Sequence, residues 1–564
     1  MSDVMQNYQR WMTDVNVDET TKAELRAIAD QPKEIEDRFF RELEFGTGGM
    51  RGVMGAGTNR LNKYTIGRAT QGLANYILKQ PGDQYSAVIA HDSRQNSPEF
   101  ALDTALVLAG NGIKAYVFES LRPTPELSFA VRYLKATSGV VITASHNPPE
   151  YNGYKVYGDD GCQYVPEFAE QIIAQIQSIQ SFDQVKKLTR EDAEAQGLLV
   201  WIGKEVDDAY VAAVVTQSLN KAMISNMEDP LKIVFTPLHG TGNLPVRACL
   251  EALGFQHVEI VAEQEHPNGM FPTVKSPNPE EREAFTLALA QAKQSDADLI
   301  IGTDPDADRI GAVVKDSSGE YVVLTGNQTG AILIEYLLSQ LQQRGELPSN
   351  GVVIKTIVTS EMGAAVAKHY GAEVMNTLTG FKYIGEKIRQ FEQSGSHTYL
   401  FGYEESYGYL SGTYARDKDA VAAAMLIAEA AAYYKANGKT LYDVLLGLYE
   451  RHGYFLEHLE SRTLKGKDGL EQIQAIMNAW RNDAPASIAG VAIQSCKDYA
   501  PGIDGLPAEN VLKFFLEDGS WFCLRPSGTE PKIKVYFAVR GETHADAIAR
   551  VQQLTKDIMQ RVDN

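Results

Sequence analysis

The chain has 564 residues, of which 44% are hydrophobic and 9% aromatic, so it can bury several hydrophobic cores and form several domains. Its formal charge of -20 argues against nucleic acid and anionic membranes as partners, because both would be repelled by most of the surface. Residues 1–16 are polar and no stretch is long enough to span a bilayer, so we expect a cytoplasmic protein.

Short β-branched runs alternate with longer amphipathic stretches through most of the chain. This alternation predicts α/β layers with parallel or mixed sheets. The predicted strands lie at 87–90, 139–143, 233–236, 299–302, 352–357 and 398–402. An alanine-rich run at 420–434 predicts a buried helix rather than a membrane span.

The C-terminal segment has a different pattern. Strands predicted at 511–516 and 521–524 flank an Asp518-Gly519 turn, a third strand follows at 533–539, and residues 544–562 predict an amphipathic helix. We therefore expect a smaller α+β domain at this end.

Glycine and charge interrupt the alternation near 197–204, 315–320 and 450–464, which predicts linkers. They divide the chain into four domains, expected at 1–204, 205–319, 320–455 and 456–564. The four cysteines, Cys162, Cys249, Cys496 and Cys523, lack metal-ligand or redox spacing and are expected to be reduced.

The first polar motif is Thr143-Ala144-Ser145-His146-Asn147-Pro148-Pro149, at the end of a predicted strand. Ser145 is expected to be exposed at the transition from strand to loop, where the prolines restrict the backbone. Lys155 follows ten residues later and offers a cation and a candidate proton carrier. An ordinary turn is the alternative interpretation.

The second motif is Asp304-Pro305-Asp306-Ala307-Asp308-Arg309. Carboxylates at alternate positions of a tight loop can direct three oxygen ligands at one Mg²⁺ ion. A calcium loop of the EF-hand type is excluded, because the glycine and the distal glutamate are missing at the required spacing. The alternative is a solvated acidic loop without a metal.

Two further motifs suit a phosphosugar. In Gly402-Tyr403-Glu404-Glu405-Ser406-Tyr407-Gly408, the carboxylates and hydroxyl suit sugar hydroxyls, although a capped helix start fits equally well. In Arg525-Pro526-Ser527-Gly528-Thr529-Glu530-Pro531-Lys532, a guanidinium fork, two hydroxyls and the amides around glycine suit a phosphate. A plain β-turn is the alternative there. A glycine-rich loop at 45–52, with Arg51, also suits a phosphate but lacks Walker or Rossmann spacing.

Taken in order, these four motifs resemble the signature set of the α-D-phosphohexomutase superfamily, and the resemblance covers nearly the whole chain. It implies four domains around a central cleft: three α/β domains with mixed sheets, which carry the serine, metal-binding and sugar-binding loops in turn, and a smaller α+β domain with a phosphate-binding loop. It also implies a phosphoserine at Ser145, which shares Mg²⁺ with Asp304, Asp306 and Asp308.

The resemblance assigns further roles by position. Glu404 and Ser406 match sugar contacts, and Arg525, Ser527, Gly528 and Thr529 match the phosphate-binding loop. Lys534 stands where many relatives have a second phosphate-binding arginine. Arg51, His146, Lys155 and Arg309 match residues of the reaction centre. Phe381-Lys382 replaces the histidine typical of bacterial phosphomannomutase/phosphoglucomutases, which makes mannose less suitable and marks Lys382 as a substrate residue.

Residues 45–62, with Pro148 and Pro149, resemble the branch of bacterial phosphoglucomutases and vertebrate phosphopentomutase-like enzymes. We therefore expect an intramolecular phosphotransferase that interconverts glucose 1-phosphate and glucose 6-phosphate through a bisphosphate, with glucose 1,6-bisphosphate as activator. The alternatives are a phosphopentomutase, a phosphomannomutase, a sugar phosphatase and a non-catalytic phosphosugar sensor. The expected partner is a small phosphosugar, and the expected state is a monomer or homodimer.

Overall fold

The computed structural model describes residues 3–46, 48–464, 466–527 and 532–563. The chain divides into two compact units. The first unit comprises Met1–Gly326, Phe381–Gly402 and Ser406–Gly438, and the second comprises Asn327–Gly380, Tyr403–Glu405 and Lys439–Asn564. No helix among the described residues combines the length and hydropathy that a membrane-spanning segment needs.

Three helices open the first unit: α1 (Asp3–Thr13), α2 (Glu19–Ala27) and α3 (Pro32–Phe39). Their apolar faces share a core in which the ring of Trp11 packs edge-on against Phe39 at 5.9 Å. Asp18 caps α2 by accepting the N–H of Thr21, which satisfies a donor that has no partner within the helix.

The first sheet is mixed and has six strands in the order β1-β5-β4-β2-β3-β6. Strands β4, β2, β3 and β6 are parallel neighbours, while β1 and β5 pair antiparallel at one side. The carboxyl ends of β2 and β4 therefore lie at the same edge. The elements in chain order are β1 (Gly49–Val53), α4 (Lys63–Ile77), β2 (Ser86–His91), α5 (Ser97–Gly110), β3 (Lys114–Phe118), α6 (Thr124–Tyr133), β4 (Ser138–Ile142), β5 (Tyr151–Tyr157), α7 (Pro166–Gln177), a 3-10 turn (Phe182–Gln184), α8 (Arg190–Ala195) and β6 (Leu199–Ile202).

The second sheet has five strands in the order β11-β10-β9-β7-β8. Strands β9, β7 and β8 are parallel, and β10 returns antiparallel beside β9. The acidic motif forms the turn between β9 and β10. The elements are α9 (Lys204–Val215), α10 (Lys221–Ile224), β7 (Lys232–Thr236), α11 (Asn243–Leu253), β8 (His257–Ile260), α12 (Ala262–Glu265), a 3-10 turn (Arg282–Phe285), α13 (Thr286–Ser295), β9 (Leu299–Thr303), β10 (Ile310–Lys315) and β11 (Tyr321–Val323).

The third region continues the α/β alternation. In the second unit β12 and β13 pair in parallel, and in the first unit α17 packs against α11 and β15. Residues 420–432 of α17 are all buried, which confirms the predicted buried helix. The elements are α14 (Gly326–Arg344), β12 (Gly351–Thr356), α15 (Glu361–His369), β13 (Glu373–Thr377), α16 (Phe381–Ser394), β14 (Thr398–Glu404), β15 (Gly408–Ser411), α17 (Ala420–Ala436) and α18 (Leu441–His452).

The C-terminal region is an antiparallel sheet in the order β16-β21-β20-β19-β18-β17 with two helices. Its core includes Phe514 stacked on Phe522 at 4.7 Å, with Trp480 packed edge-on against both. The predicted α+β domain is confirmed. The elements are β16 (Tyr454–Thr463), α19 (Gly466–Asn482), β17 (Ser487–Ile488), β18 (Val491–Asp498), β19 (Leu512–Leu516), β20 (Trp521–Pro526), β21 (Lys532–Gly541) and α20 (His544–Val562).

All the predicted strands are present, and all four cysteines are free. The predicted linkers at 197–204 and 450–464 are wrong, because β6 and β16 occupy them. Both are edge strands, which pair with a neighbour on one side only. The segment 315–320 is the turn between β10 and β11 within one sheet. The domain boundaries remain predictions.

Candidate active site

Ser145 lies in the loop after β4, in the first unit. Its backbone is left-handed, with φ 52°, and its N–H donates to Thr143 Oγ1 at 2.8 Å. The sequence predicted an exposed serine, but Ser145 is only 2% exposed. Ser145 is buried because the acidic turn after β9 covers it, and Ser145 Oγ donates to Asp304 Oδ2 in that turn at 2.7 Å.

The three aspartates of the acidic turn converge at this serine. Asp304, Asp306 and Asp308 are buried, and each offers a carboxylate oxygen within 4.8 Å of the others. Asp304 Oδ1 also accepts the N–H groups of Asp308 and Arg309 at 3.1 and 3.0 Å, which fixes the turn. Thr124, at the start of α6, donates its hydroxyl to Asp306 Oδ2 at 2.8 Å and joins the turn to the first sheet's helices.

This donor set fits a hard divalent cation. Asp306 Oδ1 and Asp308 Oδ1 are buried and have no hydrogen-bond partner among the described residues. Burial and the two neighbouring carboxylates raise the pKa of Asp304 well above its usual value. Mg²⁺ prefers such oxygen ligands, and it would offset the repulsion among three buried carboxylates.

Two lysines balance part of the triad's charge. Lys155, on β5, donates to Asp306 Oδ2 at 2.8 Å and to Asp308 Oδ2 at 3.1 Å. Lys418, just before α17, lies 3.2 Å from Asp308 Oδ2. Burial alone would raise the pKa of Asp308, but these two ammonium groups lower it below its usual value.

Sequence reasoning missed Lys418. Its ammonium also bonds Asp417 Oδ1 at 3.3 Å, and Asp417 Oδ2 accepts the hydroxyl of Tyr157 at 2.8 Å. The sequence did contain one indication of its role. Four charged residues stand at 416–419, directly before an apolar helix, whereas capping that helix requires only Asp419.

His146, Arg51 and Arg309 lie at the margin of the site. His146 Nδ1 is 3.3 Å from Ser145 Oγ. Burial, followed by the charges of Arg309 and Arg51, lowers the pKa of His146 well below its usual value, so the imidazole is neutral. Arg51 donates to Asn147 Oδ1 at 3.0 Å, and it lies in β1 although the sequence predicted a loop at 45–52. Arg309 pairs with Glu280.

Two of the predicted substrate-binding residues, Lys382 and Ser406, belong to the first unit. Lys382 is the second residue of α16, and its backbone carbonyl accepts the thiol of Cys162 at 3.3 Å. Glu404 belongs to the second unit, where its carboxylate accepts the N–H of Gly380 at 2.8 Å. Glu404 is thereby joined to the loop that precedes α16.

The predicted phosphate residues also belong to the second unit. Arg525 on β20 is the cross-strand partner of Lys534 on β21, so two cations lie side by side. Arg525 donates to Glu509 at 2.9 Å, and the N–H of Ser527 donates to the carbonyl of Lys532 at 2.7 Å. Gly528 and Thr529 lie outside the described residues.

Four family descriptions match the chain in order. They are phosphoglucomutase/phosphomannomutase alpha/beta/alpha domain I at residues 42–183, domain II at 208–319, domain III at 325–452, and the C-terminal domain at 462–552.

Curated relatives match over nearly their full length. A phosphoglucomutase of Staphylococcus haemolyticus is 38% identical over 536 residues, covering 93% of this chain and 94% of the relative. A phosphoglucomutase of Staphylococcus aureus is 38% identical over 540 residues, covering 93% and 95%.

Two solved structures share the fold. Parafusin, a phosphoglucomutase from Paramecium, has a TM-score of 0.71 at 18% identity and covers 93% of this chain and 96% of its own. A phosphoglucomutase/phosphomannomutase family protein from Burkholderia thailandensis has a TM-score of 0.65 at 20% identity, covering 92% and 96%. With the four domain matches and the identity to the staphylococcal relatives, the chain belongs to the α-D-phosphohexomutase superfamily of phosphosugar mutases, in the branch of the bacterial phosphoglucomutases.

Proposed function

We propose that the chain interconverts glucose 1-phosphate and glucose 6-phosphate through a phosphoryl group carried on Ser145 and a bound glucose bisphosphate. The observation that carries the proposal is the 2.7 Å hydrogen bond between Ser145 Oγ and Asp304, inside a buried aspartate triad. A plain surface turn would have neither the burial nor the converging carboxylates. The relatives named phosphoglucomutase support glucose as the sugar.

The residues of the site divide the chemistry among themselves. Asp304, Asp306 and Asp308 would hold Mg²⁺ together with Ser145, and the ion would neutralise charge on the transferring group. The sugar hydroxyl attacks the phosphoryl group, the bond to Ser145 Oγ breaks, the hydroxyl proton passes to a basic side chain, and Ser145 Oγ takes up a proton. His146 and Lys155 are the candidates for these two proton transfers, and Arg51 and Arg309 add positive charge.

The second half of the reaction returns the other phosphate to Ser145. Arg525, Ser527, Gly528, Thr529 and Lys534 would grip the phosphate that is not reacting. Glu404, Ser406 and Lys382 would hold the sugar in both of its orientations. A phosphatase would have no use for a second phosphate-binding loop, which favours a mutase over hydrolysis.

The test compares isomerised glucose 6-phosphate with released inorganic phosphate in one assay, started with Mg²⁺ and glucose 1,6-bisphosphate as activator. We expect isomerisation to dominate and Ser145→Ala to lose at least about a thousandfold in turnover. Ser178→Ala is the control, because this serine is exposed and its hydroxyl donates to the carbonyl of Gln175 in the same helix region. Near-normal activity of Ser145→Ala would contradict the assignment, and a wild-type chain that never acquires phosphate on Ser145 would indicate a sensor.

Sugar preference is tested with glucose 1-phosphate, mannose 1-phosphate and ribose 1-phosphate side by side. We expect the highest kcat/KM for glucose, and a clear preference for the pentose would refute that choice. We also propose that the enzyme is cytoplasmic and acts as a monomer or homodimer. Sedimentation velocity distinguishes these two oligomeric states.

A further inference from the structure

Arg94 lies behind the serine loop, and no sequence motif pointed to it. It follows β2, and its side chain is fully buried. Its guanidinium donates to four backbone carbonyl oxygens of the loop that carries Ser145. Nη1 bonds the carbonyls of Pro148 at 2.8 Å and Tyr151 at 3.1 Å, and Nη2 bonds those of Ser145 at 2.6 Å and Asn147.

Asp92 holds the guanidinium in this orientation and reaches the serine from the other side. Its Oδ2 lies 3.2 Å from Arg94 Nε, and its Oδ1 accepts the N–H of Arg94 at 2.9 Å. Asp92 Oδ2 also accepts the hydroxyl of Thr143 at 2.7 Å, and that hydroxyl oxygen accepts the N–H of Ser145. Asp92 and Arg94 together therefore fix the directions of both the backbone N–H and the backbone C=O of Ser145.

A loop from the second sheet's domain covers the pair. The guanidinium of Arg94 lies 5.0 Å from the ring of Phe271, which is fully buried. A Cβ atom at Gly269 would lie 2.5 Å from the backbone nitrogen of Gln95, so the two loops are in close contact. The guanidinium is therefore packed between the serine loop and this second loop.

The serine needs such support. A left-handed backbone is disfavoured for residues with a Cβ atom, and Ser145 has φ 52°. Arginine suits the task because its planar fork offers rigidly placed donors, whereas the single nitrogen of lysine cannot reach four acceptors in this arrangement.

We propose that Arg94 is a positioning residue for phosphoryl transfer, which fixes the backbone of residues 145–151 and thereby directs Ser145 Oγ at the aspartate triad. The inference rests on the proposed function, because its kinetic consequence is read from transfer through Ser145. Among the described contacts, Arg94 bonds neither the aspartate triad nor Ser145 Oγ, so its effect passes through the backbone of the loop.

The first test is Arg94→Lys, which keeps the charge that balances Asp92. We expect kcat per phosphorylatable Ser145 to fall about a hundredfold, since a displacement near 1 Å of a reacting group costs on that order. KM is expected to change less than about threefold. The control is Arg132→Ala, because Arg132 also donates to a backbone carbonyl, that of Asp160, but lies outside the serine loop.

The number of active sites is counted from the phosphoserine content of each variant. This count distinguishes a loss of positioning at each site from a loss of folded protein. A merely structural role would reduce the number of phosphorylatable sites and leave kcat per site unchanged. If Arg94→Lys turns over within threefold of the wild type per site, the inference is overturned.

Chemical rescue is the second test. Guanidinium ion at millimolar concentration is expected to raise the kcat of Arg94→Ala at least tenfold, whereas methylammonium, with one nitrogen, is not. Neither ion should accelerate the wild type or Arg132→Ala. Equal rescue by both ions would contradict the requirement for a planar fork. Should Arg94→Ala fail to fold, Arg94→Lys decides alone.

Hydrogen exchange makes the inference independent of catalysis. Amides of residues 143–151 are expected to exchange faster in Arg94→Lys than in the wild type, while those of α5 remain unchanged. A wild-type protein without mutase activity would contradict the proposed function but not this inference. Unchanged exchange in the serine loop of Arg94→Lys would contradict the inference alone.

Discussion

Lys155→Met tests whether this lysine stabilises the fold by balancing buried carboxylates. Lys155 bonds Asp306 and Asp308 at 2.8 and 3.1 Å, and its side chain is only 12% exposed. In the variant, Asp308 keeps Lys418 at 3.2 Å, whereas among the described residues Asp306 keeps the hydroxyl of Thr124 as the remaining donor to its Oδ2. One buried carboxylate thus loses its cation.

Removing one partner of a buried ion pair costs about 3–5 kcal/mol, and the remaining contacts place this site at the lower end. A loss of about 3 kcal/mol corresponds to a fall of roughly 6–12 °C in melting temperature for a domain of this kind. Mg²⁺ supplies positive charge at the same oxygens, so we expect most of the deficit to disappear when Mg²⁺ saturates the site.

The assay is thermal unfolding of Lys155→Met and wild type, each in EDTA and in excess Mg²⁺. Lys315→Met is the matched control, because Lys315 in the second sheet pairs with the exposed Asp296 at 2.6 Å and should change the melting temperature by less than about 2 °C in both buffers. The reasoning is refuted if Lys155→Met in EDTA melts as close to the wild type as Lys315→Met does.

The remaining predictions concern four other residues. Burial and the charge of Lys355 lower the pKa of Lys513 to about 7, so above pH 7 the unfolded chain binds one more proton than the folded chain. The second unit should therefore gain about 2 kcal/mol of stability between pH 7 and pH 9. Calorimetry should show that Lys513→Met abolishes this gain. Asp417→Asn should lower kcat about tenfold by releasing Lys418, and an unchanged kcat would exclude this role. Gly240→Ala should weaken Mg²⁺ binding in titration calorimetry, because the added Cβ would lie 2.5 Å from the Cα of Pro305 in the acidic turn. Gly447→Ala is the contrasting case, because a Cβ added there meets nothing within 4 Å, and it should stabilise α18 by about 0.5–1 kcal/mol.

The parts of the site that lie within one short motif were readable from the sequence. Asp304, Asp306 and Asp308 are close in the chain, and a tight turn between two strands brings their oxygens together without long-range contacts. Ser145 was recognisable for the same reason, at the end of a strand. Its burial was predicted wrongly, since the covering Asp304 lies 159 residues away.

Residues that act through distant partners left little trace. Arg94 looked like one more polar residue after a strand, and its acceptors are carbonyl oxygens, which every sequence contains. Tyr157 donates to Asp417, which lies 260 residues later in the chain, and Asp417 in turn bonds Lys418. Only the folded structure therefore shows that Lys418 is held at the aspartate triad.

The sequence by itself determined the alternation of strands and helices, the α+β character of the C-terminal region, and the loops that carry the serine and the aspartates. These follow from side-chain periodicity and turn chemistry over a few residues. Only the tertiary structure decided which charges meet, which edge segments pair as strands, and how the serine backbone is held. The cost of a buried charge and the energy of a hydrogen bond depend on the surroundings that the folded chain provides, and a linear sequence does not contain those surroundings.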